Sequence, residues 1–506
     1  MDDKDKSVKD AASQKSGRRY ISWGTMSVMI VVAVASLRSD PADAFYGLGS
    51  IFYYIIPALV FLIPTALVAA ELASGWKGGI YIWVREGMGN RWGFTAIWLQ
   101  WIQNVVWYPS QLAFVAAALA YVFMAPNLAN SGYYTATVIL VAYWASTLIA
   151  LRGNNIFARV GAWGGIIGTF IPGAVLILLG GLWLGTHQPS QVPISWSNVI
   201  PPFTGLASVV LIVSNFLAYA GMEVNAVHVD QLKNPSKDYT KALLVAFGII
   251  LAVFIPPTLA VAIAVPPAKL GLTSGITAAF EVFFEHWGVN WLTPILSLMV
   301  VLGALASVVV WIAGPSKGLL IAGRTGLLPP FLQKRNKAGI QQGILIPQGI
   351  IVTILAALFV FIPNVSVAFF LLIAAAAQLY LLMYILMFIS AMTLRVKKPD
   401  VKRTYRVPAM NFIAIVGLVA SALAFALGFI PPSELKGVPL VAYPLIVLAI
   451  TFGLFIIPII IYAVRKPEWK TVSDEEFAEL IGAHATPPSK HAPTPKTKQK
   501  DNKKGD

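Results

Sequence analysis

Residues 219–234 read YAGMEVNAVHVDQLKN and follow GLASVVLIVSNFLA (205–218), a run with the composition of half a membrane-spanning helix. A glycine, a glutamate, an asparagine and a histidine then interrupt the span. An ionised side chain at the bilayer centre costs at least about 2.5–3.5 kcal/mol, so Glu223 is expected to face a cavity or to hold a proton. Gly221 lets the backbone leave helical dihedrals. A broken helix offers half-helix amides to an anionic group and half-helix carbonyls to a cationic one, a combination that suits a zwitterion. The competing reading is that Glu223 pairs with a neighbouring helix while Gly221 serves close packing.

Composition sets the surroundings of this stretch. Of 506 residues, 57% are hydrophobic and 12% charged, whereas soluble domains carry roughly 25% charged residues. The chain therefore reads as an all-α integral membrane protein; its apolar runs are continuous, not alternating with period two as in a barrel. The net charge of +15 falls in short clusters between those runs, which excludes a nucleic-acid reading. With no cysteine, disulfides and thiolate metal sites are excluded. The first twenty residues carry six Lys/Arg and no cleavage site, so no removable signal peptide is expected.

Twelve runs are long enough for a hydrocarbon core that takes about 20 helical residues. They lie near 21–46, 49–72, 94–124, 133–150, 156–184, 205–230, 241–264, 292–321, 344–362, 365–394, 412–430 and 439–463. With both termini cytoplasmic, only Arg38, Lys269 and Lys436 of the 37 Lys/Arg fall outside, a strong positive-inside asymmetry. The expected domains are an N-terminal arm (1–20), a twelve-helix unit (21–466) and a basic, largely disordered tail (467–506). Within the tail, SDEEFAELI (473–481) places Ser473 and Glu476 at capping-box spacing.

The first span is interrupted as well, at AVASLRSDPADAFYGLG (33–49). Breaks in spans one and six, five spans apart, are the sequence pointer to a transport site, because unwound backbone at membrane depth is tolerated only where it lines a cavity.

YAGMEVNAVHVDQLKNPSKDY (219–239) resembles the sixth-helix signature of the amino acid-polyamine-organocation (APC) superfamily, and in particular the bacterial glutamate/GABA antiporter family. IPTALVAAELASGWKGGIYIWV (63–84), WIAGPSKGLLIAGRTGLLPPFLQKRNKAG (311–339) and LRVKKPDVKRTYRVP (394–408) match in the expected order. The resemblance implies a leucine-transporter-like fold: two inverted five-helix repeats with broken helices one and six, plus two further helices. It places substrate between spans one, three, six, eight and ten. Ala35 and Ser36 in the first break, Tyr219, Ala220, Gly221, Met222 and Glu223 in the second, and Ser307 and Trp311 on span eight are the implied substrate-binding residues. Tyr380 and Tyr384 in QLYLLMY are the implied gate; being four apart they share a helical face, as they also would in plain packing.

Two departures touch the same site. SLRSDP stands where the antiporters carry an aromatic-rich Y-E-Y-P segment, and Ser307 replaces their acidic residue four before the tryptophan. The exact amino acid/amine pair is therefore left open. Arg38 fits bidentate binding of a substrate carboxylate, or an ion pair with Asp40 or Asp43. In IWLQWIQNVVWYPSQLAF (97–114), Trp98, Trp101, Gln103, Asn104, Trp107 and Tyr108 fit either a ligand face or an interfacial belt. Glu223 and His228 are the candidates for proton coupling or pH sensing, with a loop contact as the plain alternative for His228. The family resemblance also implies that the tail can plug the cytoplasmic mouth, and His484 and His491 would titrate in a useful range; a Lys-rich disordered tail facing anionic lipid is the plain alternative.

The function expected is secondary active transport by alternating access, as an amino acid/amine antiporter of glutamate/GABA type in the inner membrane. The alternatives are a proton-coupled symporter and a non-transporting sensor. Amino acid and amine substrates, protons and membrane lipids are the expected partners, with no cofactor and no metal; oligomeric state is not legible. H-E-x-x-H is missing and the five histidines are dispersed, which leaves an enzyme little to work with.

Overall fold

A computed structural model describes residues 20–152, 164–433 and 440–480, the side chains of residues 313 and 480 aside. The first span is two helices. In α1 (Trp23–Val34), the Ser22 side chain accepts the Thr25 N–H at 3.0 Å, an N-cap. After five non-helical residues α2 (Asp40–Ala44) begins with Pro41 in its first turn, where the missing N–H costs nothing. α3 (Gly47–Gly75) widens to a π turn over Ala58–Leu62. Pro57 and Pro64 flank that turn and remove two ladder donors.

The chain continues through the short α4 (Gly79–Met88) to α5 (Asn90–Val122), α6 (Gly132–Arg152) and α7 (Ile166–Gly185). The sixth span is split into α8 (Val213–Ala218) and α9 (Met222–Ala226). Then come α10 (Pro235–Ala264), α11 (Gly275–His286), α12 (Leu292–Gly323), α13 (Gln342–Phe361), α14 (Val365–Lys397), α15 (Met410–Leu427), α16 (Ala442–Val464) and α17 (Asp474–Leu480). Eleven spans among the described residues, the split sixth included, are long and apolar enough to cross a membrane, and α1–α2 supplies the twelfth. The expected APC-type, all-helical fold of about twelve helices is what forms, with both interruptions in place.

α5 and α14 are buried along nearly their whole length, whereas most of α16 faces outward. Small residues bring α7 against α12: a Cβ on Gly303 would lie 2.4 Å from the Gly168 Cα. Such close backbone approach is how membrane helices gain packing without a hydrophobic driving force between them.

The motif blocks at 63–84 and 394–408 meet at one face of the protein. Arg395, at the end of α14, grips the buried Glu71 of α3 through two bonds of 2.6 Å, the Val407 N–H adds a third at 2.7 Å, and Arg403 Nε lies 3.6 Å away. A buried carboxylate needs such satisfaction on every lone pair. Nearby, Glu86 of α4 joins Lys398 and Arg85.

The C-terminal segment docks on this same basic face. The Thr471 N–H donates to the Arg324 carbonyl at 2.9 Å, Gln333 Nε2 to the Trp469 carbonyl at 2.8 Å, and Glu476 pairs with Arg324 at 2.9 Å. Phe477 is buried against Tyr81, with the Arg85 guanidinium 5.5 Å from its ring. Ser473 Oγ accepts the Glu476 N–H at 3.0 Å, so half of the anticipated capping box is present. Residues 1–19, most of the expected arm, and the tail beyond 480, with His484 and His491, lie outside the described residues.

Candidate functional site

The sixth span breaks because Gly221 takes φ +106°, the left-handed region that only glycine enters cheaply. The Trp311 ring of α12 lies over it, with Cη2 3.5 Å from where a Cβ would stand. One turn before Trp311, Ser307 is half-buried.

Immediately beyond the break, the Glu223 carboxylate is buried, with 2% exposure. Its partners are three neutral donors: Tyr380 Oη at 2.5 Å and Gln100 Nε2 at 2.8 Å on Oε1, and Tyr384 Oη at 2.5 Å on Oε2. No Lys, Arg or His among the described residues forms an ion pair with it. The Tyr384 hydroxyl also accepts the Gly221 N–H at 2.7 Å. The tyrosine rings are 4.9 Å apart, and Phe61 of α3 packs edge-on against Tyr384 at 5.1 Å. Hydrogen bonds to a charged group are about twice as strong as neutral ones, so this clamp holds α5, α9 and α14 around one carboxylate.

The remaining candidates divide. Ala35 and Ser36 lie half-buried in the first break, where Ser36 Oγ accepts the Arg38 N–H at 3.3 Å. Ala220 and Met222 are buried beside Gly221. Tyr219 turns away: its hydroxyl donates to the Tyr54 carbonyl of α3 at 3.0 Å and its ring packs on Phe254. His228 lies at the basic-face end of the span with Nδ1 buried and unpartnered, while the neighbouring Asp230 is bound by Thr404 Oγ1 at 2.6 Å. It does not meet Glu223.

Arg38 forms no ion pair with Asp40 or Asp43, which corrects that half of the sequence reading. Its guanidinium carbon lies 6.0 Å from the ring centres of Trp107 on α5 and Phe369 on α14, and Nη1 is buried without a partner.

Residues 21–455 match the family of amino acid permeases. The chain belongs to that family. An uncharacterised transporter of Legionella pneumophila is 41% identical over 417 residues, 81% of this permease and 89% of that protein. A glutamate/γ-aminobutyrate antiporter of Lactococcus lactis is 32% identical over 439 residues, 85% and 87% of the two chains. A probable agmatine/putrescine antiporter of the same species is 26% identical over 395 residues, 77% and 82%. The resemblance read from the motifs is borne out, and the permease is a multi-pass membrane transporter.

Gln100 went unread in the sequence although it sits in the middle of the aromatic-rich block of α5. Gln103 and Asn104, one turn on, both donate to its backbone carbonyl, at 3.4 and 2.8 Å. Its aromatic neighbours Trp98 and Trp101, and Tyr108 further on, are helix ties instead. Trp98 Nε1 donates to the Leu454 carbonyl of α16, Trp101 Nε1 to Gln348 of α13, and Tyr108 packs on Tyr143 of α6. One hydrolase-like string also occurs in the permease: GPSKG (314–318) fits G-x-S-x-G. Ser316, however, sits inside α12, donating to the Ile312 carbonyl and accepting from Gln341, unlike a nucleophile on an exposed turn.

Proposed function

We propose that the permease exchanges an amino acid for a related amine, with Glu223 holding the ammonium group that both partners carry. The observation that carries this reading is the carboxylate's all-neutral surroundings: three donors satisfy it and no cation among the described residues pairs with it. A substrate ammonium supplies the missing charge, and the tyrosine hydroxyls that release the carboxylate close again over the bound ligand. Exchange of two ammonium compounds then returns the site to the same charge at every half-cycle.

Arg38 takes a separate role in this reading. Trp107 lies seven residues from Gln100 along α5, about 10 Å, and Phe369 eleven residues from Tyr380 along α14, about 16 Å. One small amino acid does not span both charges in this conformation. Arg38 serves as an outer station that attracts substrate carboxylates, distinguishing the amino acid from its decarboxylated partner.

The distribution of Lys/Arg supports cytoplasmic termini, and the bacterial relatives support an inner-membrane setting. The C-terminal segment then lies under the cytoplasmic face as a latch, which its docking to Arg324, Gln333 and Tyr81 supports.

The test is counterflow in proteoliposomes, loaded with one unlabelled amino acid or amine at a time, following labelled glutamate, GABA, arginine and a neutral amino acid at acidic and neutral pH. Uptake that requires a specific internal partner is expected. Uptake that ignores the interior and follows a pH gradient identifies a symporter; binding without flux identifies a sensor.

A further inference from the structure

Two buried acids lie side by side in α2. Asp40 and Asp43 are both fully buried, three residues apart and so on one side of the turn. Asp43 Oδ1 accepts from Asn215 Nδ2 of α8 at 2.9 Å. Asp40 Oδ1 has only the Tyr54 hydroxyl of α3, at 3.4 Å, and that hydroxyl is shared with Thr258 of α10 at 3.0 Å. Among the described residues, Oδ2 of each aspartate has no partner and neither forms an ion pair. The Asn215 amide is independently short of a donor. It is fully buried, its Nδ2 is anchored on Asp43 and the Tyr53 carbonyl, and its Oδ1 acceptor is unmet.

Two adjacent carboxylates taken out of water without a counter-ion do not both stay ionised. The groups facing them do not supply the balance. α3 presents the Tyr54 phenol, the sixth span presents Asn215 and Tyr219, α10 presents Thr258, and the start of α11 packs Gly275 on Pro41. Arg38, just before α2, contributes one positive charge without contact. One further positive charge makes the segment neutral.

We propose that Asp40 and Asp43 share a single proton and form a proton-binding site separate from Glu223. A hard metal cation wants about six oxygen ligands, whereas the open acceptors on these three residues are Oδ2 of each aspartate and Asn215 Oδ1. A proton needs two. Its release leaves an ionised pair between α2, α3, α8 and α10, the halves of both interrupted spans that lie on the same side of their breaks. Both carboxylates belong to α2, so repulsion there distorts that helix and draws it toward water, away from the neutral groups of α3, α8 and α10. Protonation state and the geometry of the breaks are thereby linked. The inference rests on the protein's being a transporter and holds for any substrate.

Infrared spectroscopy of the full-length protein in lipid vesicles tests it without knowledge of the substrate. The wild type is expected to show, at neutral pH, the carbonyl stretch of a buried protonated acid. Carbon-13 labelling of aspartate carboxyls should shift that band, since Asp40 and Asp43 are the buried aspartates among the described residues. The band should disappear in D40N and D43N, persist in E223Q, and be indifferent to sodium. A band unmoved by aspartate labelling, abolished by E223Q, or removed by sodium overturns the proposal; the labelling arm decides even where a variant fails to fold. In counterflow of labelled against unlabelled glutamate, D43N should retain exchange while the difference in its rate between acidic and neutral pH disappears. If wild-type vesicles move no glutamate, the substrate reading fails and the infrared result still stands.

Discussion

The hydroxyl of Tyr384 sits 2.7 Å from the Gly221 amide nitrogen, so a side chain of span ten closes the backbone gap of span six. The same hydroxyl donates to Glu223, which makes one oxygen responsible for both the break and the charge beside it. Y384F is expected to weaken substrate binding by tenfold to a hundredfold, about 1.5–3 kcal/mol for a hydrogen bond to a charged group. Y380F and Q100L, which remove one bond each, should cost less. Saturation curves in counterflow give the ranking.

E223Q keeps the shape of the site and removes its charge. Counterflow should fall at least tenfold at every pH, for amines and amino acids alike, because the ammonium loses its partner. Surviving exchange with loss of only the pH-driven component would instead make Glu223 a proton carrier.

G221A should lower thermal stability by about 1–3 kcal/mol, the cost of a side chain held in a sparsely populated backbone region. The added methyl would meet Trp311 at an ordinary contact distance of 3.5 Å, so strain resides in the backbone. Trimming the tryptophan in a G221A/W311F double variant is therefore expected to restore none of the loss, as unfolding curves of the single and double variants will show.

Both interrupted spans were legible because polar residues and glycine stand out in apolar runs, and the span count followed from length alone. Gln100 was not legible, since an amide inside a helix reads equally as packing until its neighbours are known. The Asp43–Asn215 contact joins residues 172 apart in sequence, a pairing that no local pattern encodes. Trp98 and Trp101 were ambiguous for the converse reason: aromatic content is plain in a sequence, but the direction a ring faces on a fully buried helix is not.

Arg38 is a buried cation without an ionic partner, so its removal should separate stability from activity. R38M is expected to leave the unfolding midpoint nearly unchanged, because no ion-pair contact is lost and a second proton on Asp40 and Asp43 replaces the charge. Uptake of acidic amino acids should fall about tenfold, the worth of one charge-assisted contact, with amines little affected.

At the basic face, E476Q should loosen the C-terminal segment little, since a partly exposed ion pair is worth at most about 1 kcal/mol. F477A removes a buried ring worth about 1.5–3 kcal/mol and should raise hydrogen exchange in residues 471–480 tenfold or more; deleting 470–506 should broaden the pH range of transport. Glu86 behaves differently. Burial pushes its carboxyl up, but hydrogen bonds from Lys398 and Arg85 outweigh that and hold it below its ordinary value. A depressed carboxylate stabilises the fold above its unfolded pKa, an effect lost only as pH falls through the lower folded value. E86Q is thus expected to reduce thermal stability at neutral pH and to change nothing in strong acid.

The grip of Arg395 on Glu71 gives α14 a fixed fulcrum. Tyr384 lies eleven residues from that point, about 16 Å along the helix, and Phe369 twenty-six residues away, about 39 Å. A swing of about 10° about the fulcrum carries the Tyr384 hydroxyl roughly 3 Å, enough to break its bonds, and the ring beside Arg38 roughly 7 Å. A pinned rod of this kind converts one small rotation into the release of Glu223 at mid-membrane and a wider opening at the far end, so the two events share a single motion.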